Sequence, residues 1–289
     1  MSLIELHRVS KRFGRLIVLN KLDLNIEAGK CLVIIGASGS GKSVTLKHIV
    51  GLLRPDSGEV FFNGRRIDNL PERRLDEIRV HFGFLFQMGA LFDSMTVAQN
   101  IAFPLVEHTK MKSEQIAEIV KQKLRMVGLP DAEKKMPGEL SGGQLKRVAL
   151  ARAIAMDPEV ILYDEPTTGL DPIRADVINE LIVKLQRELK VTSIVVTHDM
   201  NSAFKVGDRI VMLHEGGLIF DGTPDEIRAA KNPIVQRFVL GEASEQELAS
   251  LNTPATTSVS LRNGVGLASF LAGSSSGWPW PARSRWIRK

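Results

Sequence analysis

The sequence predicts an α/β fold: a core of buried parallel strands around a phosphate-binding loop, an antiparallel β subdomain at the N-terminus, and an inserted α-helical subdomain. Three observations carry this. The first thirty residues alternate apolar and polar, as in Leu22, Asp23, Leu24, Asn25, Ile26 and Glu27, the period-two pattern of strands with one solvated face. Continuous apolar runs then stand at 31–35, 160–163 and 193–196, as strands buried on both faces of a parallel sheet require. Helical spacing fills the intervals, first at Ile116, Ile119, Val120, Leu124 and Val127, with Gly128 as the stop.

The remaining elements follow in order. The stretch after the first apolar run, 44–51, reads as a helix, and an alanine-rich helix spans 145–156. Pro172 opens another, with Ile178, Leu181, Ile182, Leu185 and Leu189 on one face. Between Arg209 and Gly222 the pattern reverts to a hairpin turning at Gly216 and Gly217, and short helices start near Pro224 and Pro233. This organisation assigns 1–240 to one nucleotide-binding domain with its helical subdomain at about 90–156, 241–251 to a linker, and 252–289 to a separate extension.

Composition sharpens that last boundary. The 289 residues carry a formal net charge of +5, which ordinarily raises nucleic acid or a membrane surface as a partner. Residues 252–289 hold five cations (Arg262, Arg283, Arg285, Arg288, Lys289), no carboxylate, and all three tryptophans (Trp278, Trp280, Trp286). Residues 1–251 are therefore formally neutral, which argues against nucleic acid binding by the folded part. The Ser, Gly and Pro content of the extension predicts disorder. The single cysteine, Cys31, excludes an intrachain disulfide and reads as a buried strand thiol in a reducing compartment. Neither a secretory signal nor an apolar run long enough to span a bilayer is visible, so the expected location is cytoplasmic.

Gly36-Ala37-Ser38-Gly39-Ser40-Gly41-Lys42-Ser43 matches G-x-x-x-x-G-K-[ST] in full. It follows an apolar strand and precedes a helix, the setting that aims main-chain N–H groups at phosphate. Lys42 is then expected at the β and γ phosphates and the Ser43 hydroxyl on Mg²⁺. The strand at 160–163 runs into Asp164 and Glu165; behind a phosphate loop, Asp164 reads as part of the Mg²⁺ shell and Glu165 as the general base for water. Ser141, Gly142, Gly143 and Gln144 form a second helix N-terminus with exposed donors, with Ser141 also a good N-cap.

With these residues in place, the chain resembles the ATP-binding subunits of ABC transporters over residues 3 to about 240. Leu140-Ser141-Gly142-Gly143-Gln144 matches the family's signature motif, and Gln87, Gly169-Leu170-Asp171 and His198 stand in the family's order. The resemblance implies that two subunits pair head to tail, the signature of one covering the γ-phosphate held by the other. It implies Gln87 at Mg²⁺ and the attacking water, His198 at the γ-phosphate, Asp171 at the dimer contact and Phe13 stacked on adenine. Asp171 before Pro172 also reads as a helix N-cap, a compatible role. Val44 stands where many members carry Thr, and Phe13 where Tyr is commoner; both changes leave the expected contacts possible.

Between Ser43 and Ser141 lie 97 residues without a heptad run, which argues against the coiled-coil chromosome-maintenance and repair ATPases. One nucleotide-binding unit argues against tandem translation factors. The segment 85–105, with Met88-Gly89-Ala90-Leu91-Phe92 and Ala102-Phe103-Pro104-Leu105, is similar to the Mla-type, MCE-associated phospholipid transport ATPases. That resemblance implies an integral-membrane permease as partner, with MCE-domain and periplasmic lipid-binding proteins beyond it, on the cytoplasmic face of an inner membrane. Two alternatives stay open at this point: another transported substrate, and a nucleotide-gated regulatory subunit with little turnover. Glu165 weighs against the second.

Overall fold

The computed structural model describes residues 2–243; the extension at 252–289, and the linker beyond Ala243, lie outside the described residues. β1 (Ser2–Phe13) and β2 (Leu16–Glu27) form an antiparallel hairpin with Leu6 opposite Leu24 and Ile4 opposite Ile26. Its turn uses Gly14 at φ 59°, a left-handed position that suits a residue without Cβ. β3 (Cys31–Ile35) then runs into the glycine loop and α1 (Lys42–Ile49). β4 (Ser57–Phe62) and β5 (Arg65–Arg66) return to the first sheet, whose order is β2-β1-β4-β5.

α2 (Glu72–Arg79) and β6 (Phe82–Leu85) lead into the helical insertion: α3 (Val97–His108), α4 (Ser113–Met126), a 3-10 turn at Pro137–Glu139, and α5 (Gly142–Ala153). β7 (Val160–Asp164), α6 (Pro172–Leu189), β8 (Thr192–Val196), α7 (Met200–Val206), β9 (Arg209–His214) and β10 (Gly217–Gly222) complete the second sheet, and α8 (Pro224–Arg228) and α9 (Pro233–Leu240) follow. That sheet runs β10-β9-β3-β8-β7-β6, parallel throughout except for the β9–β10 hairpin.

The unbroken apolar runs are explained by two cores. Cys31, Val33 and Ile35 enter the core shared with α3 to α7, whereas Leu32 and Ile34 enter the core between the two sheets, beside Leu6, Leu24, Leu46 and Val60. β7 divides the same way, Ile161 and Tyr163 to the helices and Val160 and Leu162 to the first sheet. Alternation of side chains along a strand makes both sets apolar when both faces are covered. Cys31 is fully buried, and burial pushes its thiol pKa far up, so it stays protonated.

Two helix starts differ from the sequence reading. α1 begins at Lys42 rather than 44, because Gly41 at φ 105° turns the chain directly into it. α5 begins at Gly142 rather than 145, because the Ser141 hydroxyl accepts from Gln144 N while the Gln144 side chain accepts from Ser141 N, a capping box that fixes the first turn. β4, β5, α2, β6, α3 and α7 had no assignment from sequence. α3 runs through Pro104, a residue that ordinarily argues against a helix interior. β6 is only four residues, one of them Gly83.

Gly83 lies close against the end of α5. A Cβ there would lie 2.4 Å from the Ala153 carbonyl oxygen, at the end of α5, and 3.2 Å from Pro158. Gly83→Ala is expected to cost about 1–3 kcal/mol through this forced separation. Urea unfolding of the nucleotide-free chain should show the lowered midpoint, and a parental midpoint would mean that α5 retreats without cost.

Candidate nucleotide-binding site

Parallel pairing in the order β3-β8-β7-β6 puts the carboxyl ends of four strands side by side, the edge at which open α/β sheets bind ligands. From those ends issue the glycine loop, His198, the Asp164–Glu165 pair and Gln87.

The glycine loop is fixed by close contacts. A Cβ at Gly36 (φ 147°) would fall 2.3 Å from the Leu213 carbonyl oxygen, and one at Gly41 would fall 2.8 Å from Leu19 and from the Val18 carbonyl oxygen. Ala37, Ser38 and Gly39 form the exposed tip, while Ser40 is buried and its hydroxyl lacks a partner. No side chain caps the N-terminus of α1, so the first-turn N–H groups there face the loop. Lys42 is 9% exposed, and its ammonium donates to the Gly36 carbonyl at 2.7 Å and the Ala37 carbonyl at 3.0 Å. Burial lowers its pKa, against the opposing pull of Glu165 and Asp164.

Across the loop, Ser43 Oγ donates to Asp164 Oδ1 at 3.2 Å. Burial raises the Asp164 pKa and the adjacent Glu165 charge adds to the rise, while the Ser43 hydrogen bond and the Lys47 and Lys42 charges work against it. Glu165 has a left-handed backbone (φ 50°), and its N–H donates to the Val196 carbonyl at 2.9 Å. Its carboxylate lies 2.9 Å from His198 Nδ1 and accepts from Thr168 Oγ1 at 3.2 Å. The Glu165 side chain is 13% exposed and the His198 ring 63%. The structure thus brings Lys42, Ser43, Asp164, Glu165 and His198 together.

The side chains of the other sequence-predicted residues make no hydrogen bond or ion pair to that cluster. Phe13 ends β1 with its ring half exposed and Lys11 Nζ 5.7 Å from the ring centroid. Gln87 is exposed; its main-chain carbonyl, not its side chain, is held from the protein interior, by Lys146 Nζ. Ser141 and Gly142 are exposed, whereas Gly143 is buried near Arg174. This turn neighbours Leu170 of its own chain rather than the glycine loop. Asp171 caps α6, accepting from Arg174 N at 3.0 Å and pairing with the Arg174 side chain at 3.2 Å.

Two residues beside the site escaped the sequence reading. Thr168 touches Glu165 through a local turn. Lys146, 6% exposed, donates to the carbonyls of Gln87 and Glu165. Its signal was available: Gly143, Lys146, Leu150 and Ala153 share one helical face, and all but Lys146 are small or apolar.

Strand, glycine loop, open helix N-terminus and acidic strand end define a nucleotide-binding ATPase of the phosphate-loop class. The family described as ABC transporter matches residues 19–168. A Mycobacterium leprae protein named probable ribonucleotide transport ATP-binding protein mkl is 44% identical over 82% of this chain and 69% of its own length. The Haemophilus influenzae intermembrane phospholipid transport system ATP-binding protein MlaF is 42% identical over 84% of this chain and 92% of its own. Among solved structures, the ATP-binding cassette MJ0796, in a dimeric post-hydrolysis state with ADP and Pi, superposes with a TM-score of 0.71 at 35% identity, covering 76% of this chain and 98% of that one. The chain belongs to the ABC transporter family and is an ABC-type ATPase. Among the described residues, no helix is long and apolar enough to cross a membrane.

Burial makes the charged form of Asp164 locally costly. In protein kept in EDTA without nucleotide at pH 7, Asp164→Asn is expected to leave the thermal midpoint level or higher, because it removes a carboxylate that burial disfavours. Differential scanning calorimetry checks this; a clear fall would mean that the charge stabilises the empty fold.

Proposed function

We propose that this chain is the ATP-hydrolysing subunit of a membrane ABC transporter that moves phospholipid between membranes. The observation that supports hydrolysis most directly is the convergence of Lys42, Ser43, Asp164, Glu165 and His198 at one sheet edge. Main-chain N–H groups of the glycine loop and the first turn of α1 bind the phosphates. Lys42, now on the Gly36 and Ala37 carbonyls, exchanges them for phosphate oxygens.

The donor set fits Mg²⁺: Ser43 and Asp164 offer two hard oxygens already facing each other, and the partly buried Asp164 carboxyl has no cation within 4.0 Å among the described residues. These two, with Gln87, would hold it. When bound, Mg²⁺ neutralises charge on the phosphoryl oxygens. Glu165 takes the proton of the attacking water, its carboxylate oriented by Thr168 and His198. A His198 ring that donates from Nδ1 to Glu165 can donate from Nε2 to the γ-phosphate only as imidazolium; a neutral ring must first let Glu165 go, which also frees that carboxylate for water.

Phe13 offers a face for adenine. The signature turn Ser141, Gly142, Gly143 and Gln144, exposed at Ser141 and Gly142, would with Asp171 cover the nucleotide of a second copy paired head to tail. The MlaF relative and the segment 85–105 support phospholipid as substrate, a permease as the membrane partner, MCE-domain and periplasmic lipid-binding proteins beyond it, and a place on the cytoplasmic face of the inner membrane. The mycobacterial relative's name favours a second reading, ribonucleotide transport. Reconstitution with the co-purifying permease separates them: ATP-dependent transfer of labelled phospholipid between vesicles supports the first, and ribonucleotide uptake without lipid transfer supports the second.

Glu165→Gln is expected to lower ATP turnover roughly 10²–10⁴-fold while the chain still binds ATP and elutes as an ATP-held dimer on size exclusion. Unchanged turnover would falsify the assignment of the base.

A further inference from the structure

Three arginine or lysine side chains of α5 donate to main-chain carbonyls rather than to acids. Arg147 reaches Val127 and Gly128 at the end of α4, and Arg152 reaches Gly89 and Ala90 beyond Gln87. Lys146 differs in its partners: one ammonium joins the Gln87 carbonyl to the Glu165 carbonyl, the latter at 3.5 Å. These carbonyls belong to loops leaving β6 and β7, 78 positions apart in sequence, and each loop carries a residue assigned above to the hydrolytic step.

The surroundings of Lys146 make the link specific. Among the described residues no carboxylate lies within 4.0 Å of its Nζ, and burial is the main influence on its pKa, downward, with the charges of Glu165 and Asp164 opposing. An apolar side chain of similar length would fill the same space without the desolvation cost of an ammonium. Glu165, for its part, holds a left-handed backbone, sparsely populated by residues with a side chain unless contacts hold it there. Its N–H is fixed by Val196, and its carbonyl accepts both from Thr168 N at 3.3 Å, within the same turn, and from Lys146 Nζ, which alone ties it to α5. Lys146 is also the second residue after the exposed signature turn, on the helix that this turn opens.

We propose that Lys146 is a positioning residue that ties the signature helix of one chain to that chain's own hydrolytic site, by clamping the Gln87 and Glu165 carbonyls to α5. A shift of α5 when its signature turn engages nucleotide on a second copy is then transmitted to the backbone of both loops. ATP binding does not need this clamp, because the glycine loop and Lys42 lie on β3 and α1. The inference rests on the roles given above to Gln87 and Glu165.

The test uses the full-length chain with its permease and four variants: Lys146→Met, Lys146→Gln, Lys146→Arg and Glu165→Gln. Lys146→Met is expected to keep ATP affinity and KM within about threefold and to lose turnover by roughly 10–100-fold, the scale set by a small misplacement of reacting groups. Lys146→Arg, which keeps a donor at the end of a long side chain, should recover at least about a third of parental kcat. Should Lys146→Met not fold, Lys146→Gln serves in its place, with the same expectation. Parental kcat in the folded Met or Gln variant overturns the proposal. So does a kcat loss that arrives with an equal loss of ATP affinity and thermal midpoint, and without rescue by Arg, since that pattern belongs to a general packing defect. Glu165→Gln separates the two levels: if it retains turnover, the reading of the site fails first; if it abolishes turnover while Lys146→Met does not, only the clamp fails.

Discussion

The parallel ladder β3-β8-β7-β6 is the constraint on which the site depends. Thr197 N donates to the Ile34 carbonyl and Glu165 N to the Val196 carbonyl, so main-chain pairing extends to the residue before His198 and to Glu165 itself. Lys42 and Ser43, Asp164 and Glu165, and His198 come from segments far apart in sequence, yet their relative heights at the sheet edge follow from hydrogen-bond register. A slip of one residue in β7 would turn Asp164 from the sheet edge toward the opposite face and put Glu165 in its place. The strong burial of both faces of β3, β7 and β8 guards against that slip, because every alternate position must find an apolar core.

Around this ladder the molecule places its cations against carbonyl oxygens. Lys42 lies over the loop carbonyls it encloses, and Lys146, Arg147 and Arg152 fasten α5 to three different turns. Each is partly or wholly withdrawn from water, and each has a pKa lowered by that burial. Carbonyl dipoles compensate a buried ammonium less fully than a carboxylate does, so a group held this way can change partners at low cost. For Lys42 that suits an anionic ligand. For the α5 side chains it makes a helix that is anchored at several points and still able to shift.

The acidic half of the site carries the complementary tension. Asp164 and Glu165 are adjacent acids at a partly buried strand end, where burial and the neighbouring Glu165 charge push the Asp164 carboxyl up against the pull of Ser43, Lys47 and Lys42. Ser43, Thr168 and His198 each hold these oxygens by a single contact. A site of this kind is prepared for a ligand bringing both negative phosphates for Lys42 and positive charge for Asp164.

The sequence by itself determined what local geometry encodes. The glycine loop, the Ser141 and Asp171 caps, the β9–β10 hairpin and the helix α4 all close their defining contacts within a few residues, so composition and spacing suffice to read them. Two-sided burial was equally legible, because it leaves unbroken apolar runs. The motifs anticipated Ser43 and Asp164 at one site; tertiary structure alone decided the direct contacts of His198 with Glu165 and of Lys146 with both Gln87 and Glu165. It also decided β6 and α3, whose Gly83 and Pro104 violate local preference and are accommodated by packing against α5 and its neighbours. Strand register and helix docking fix those contacts, and neither is expressed in the propensity of any short segment.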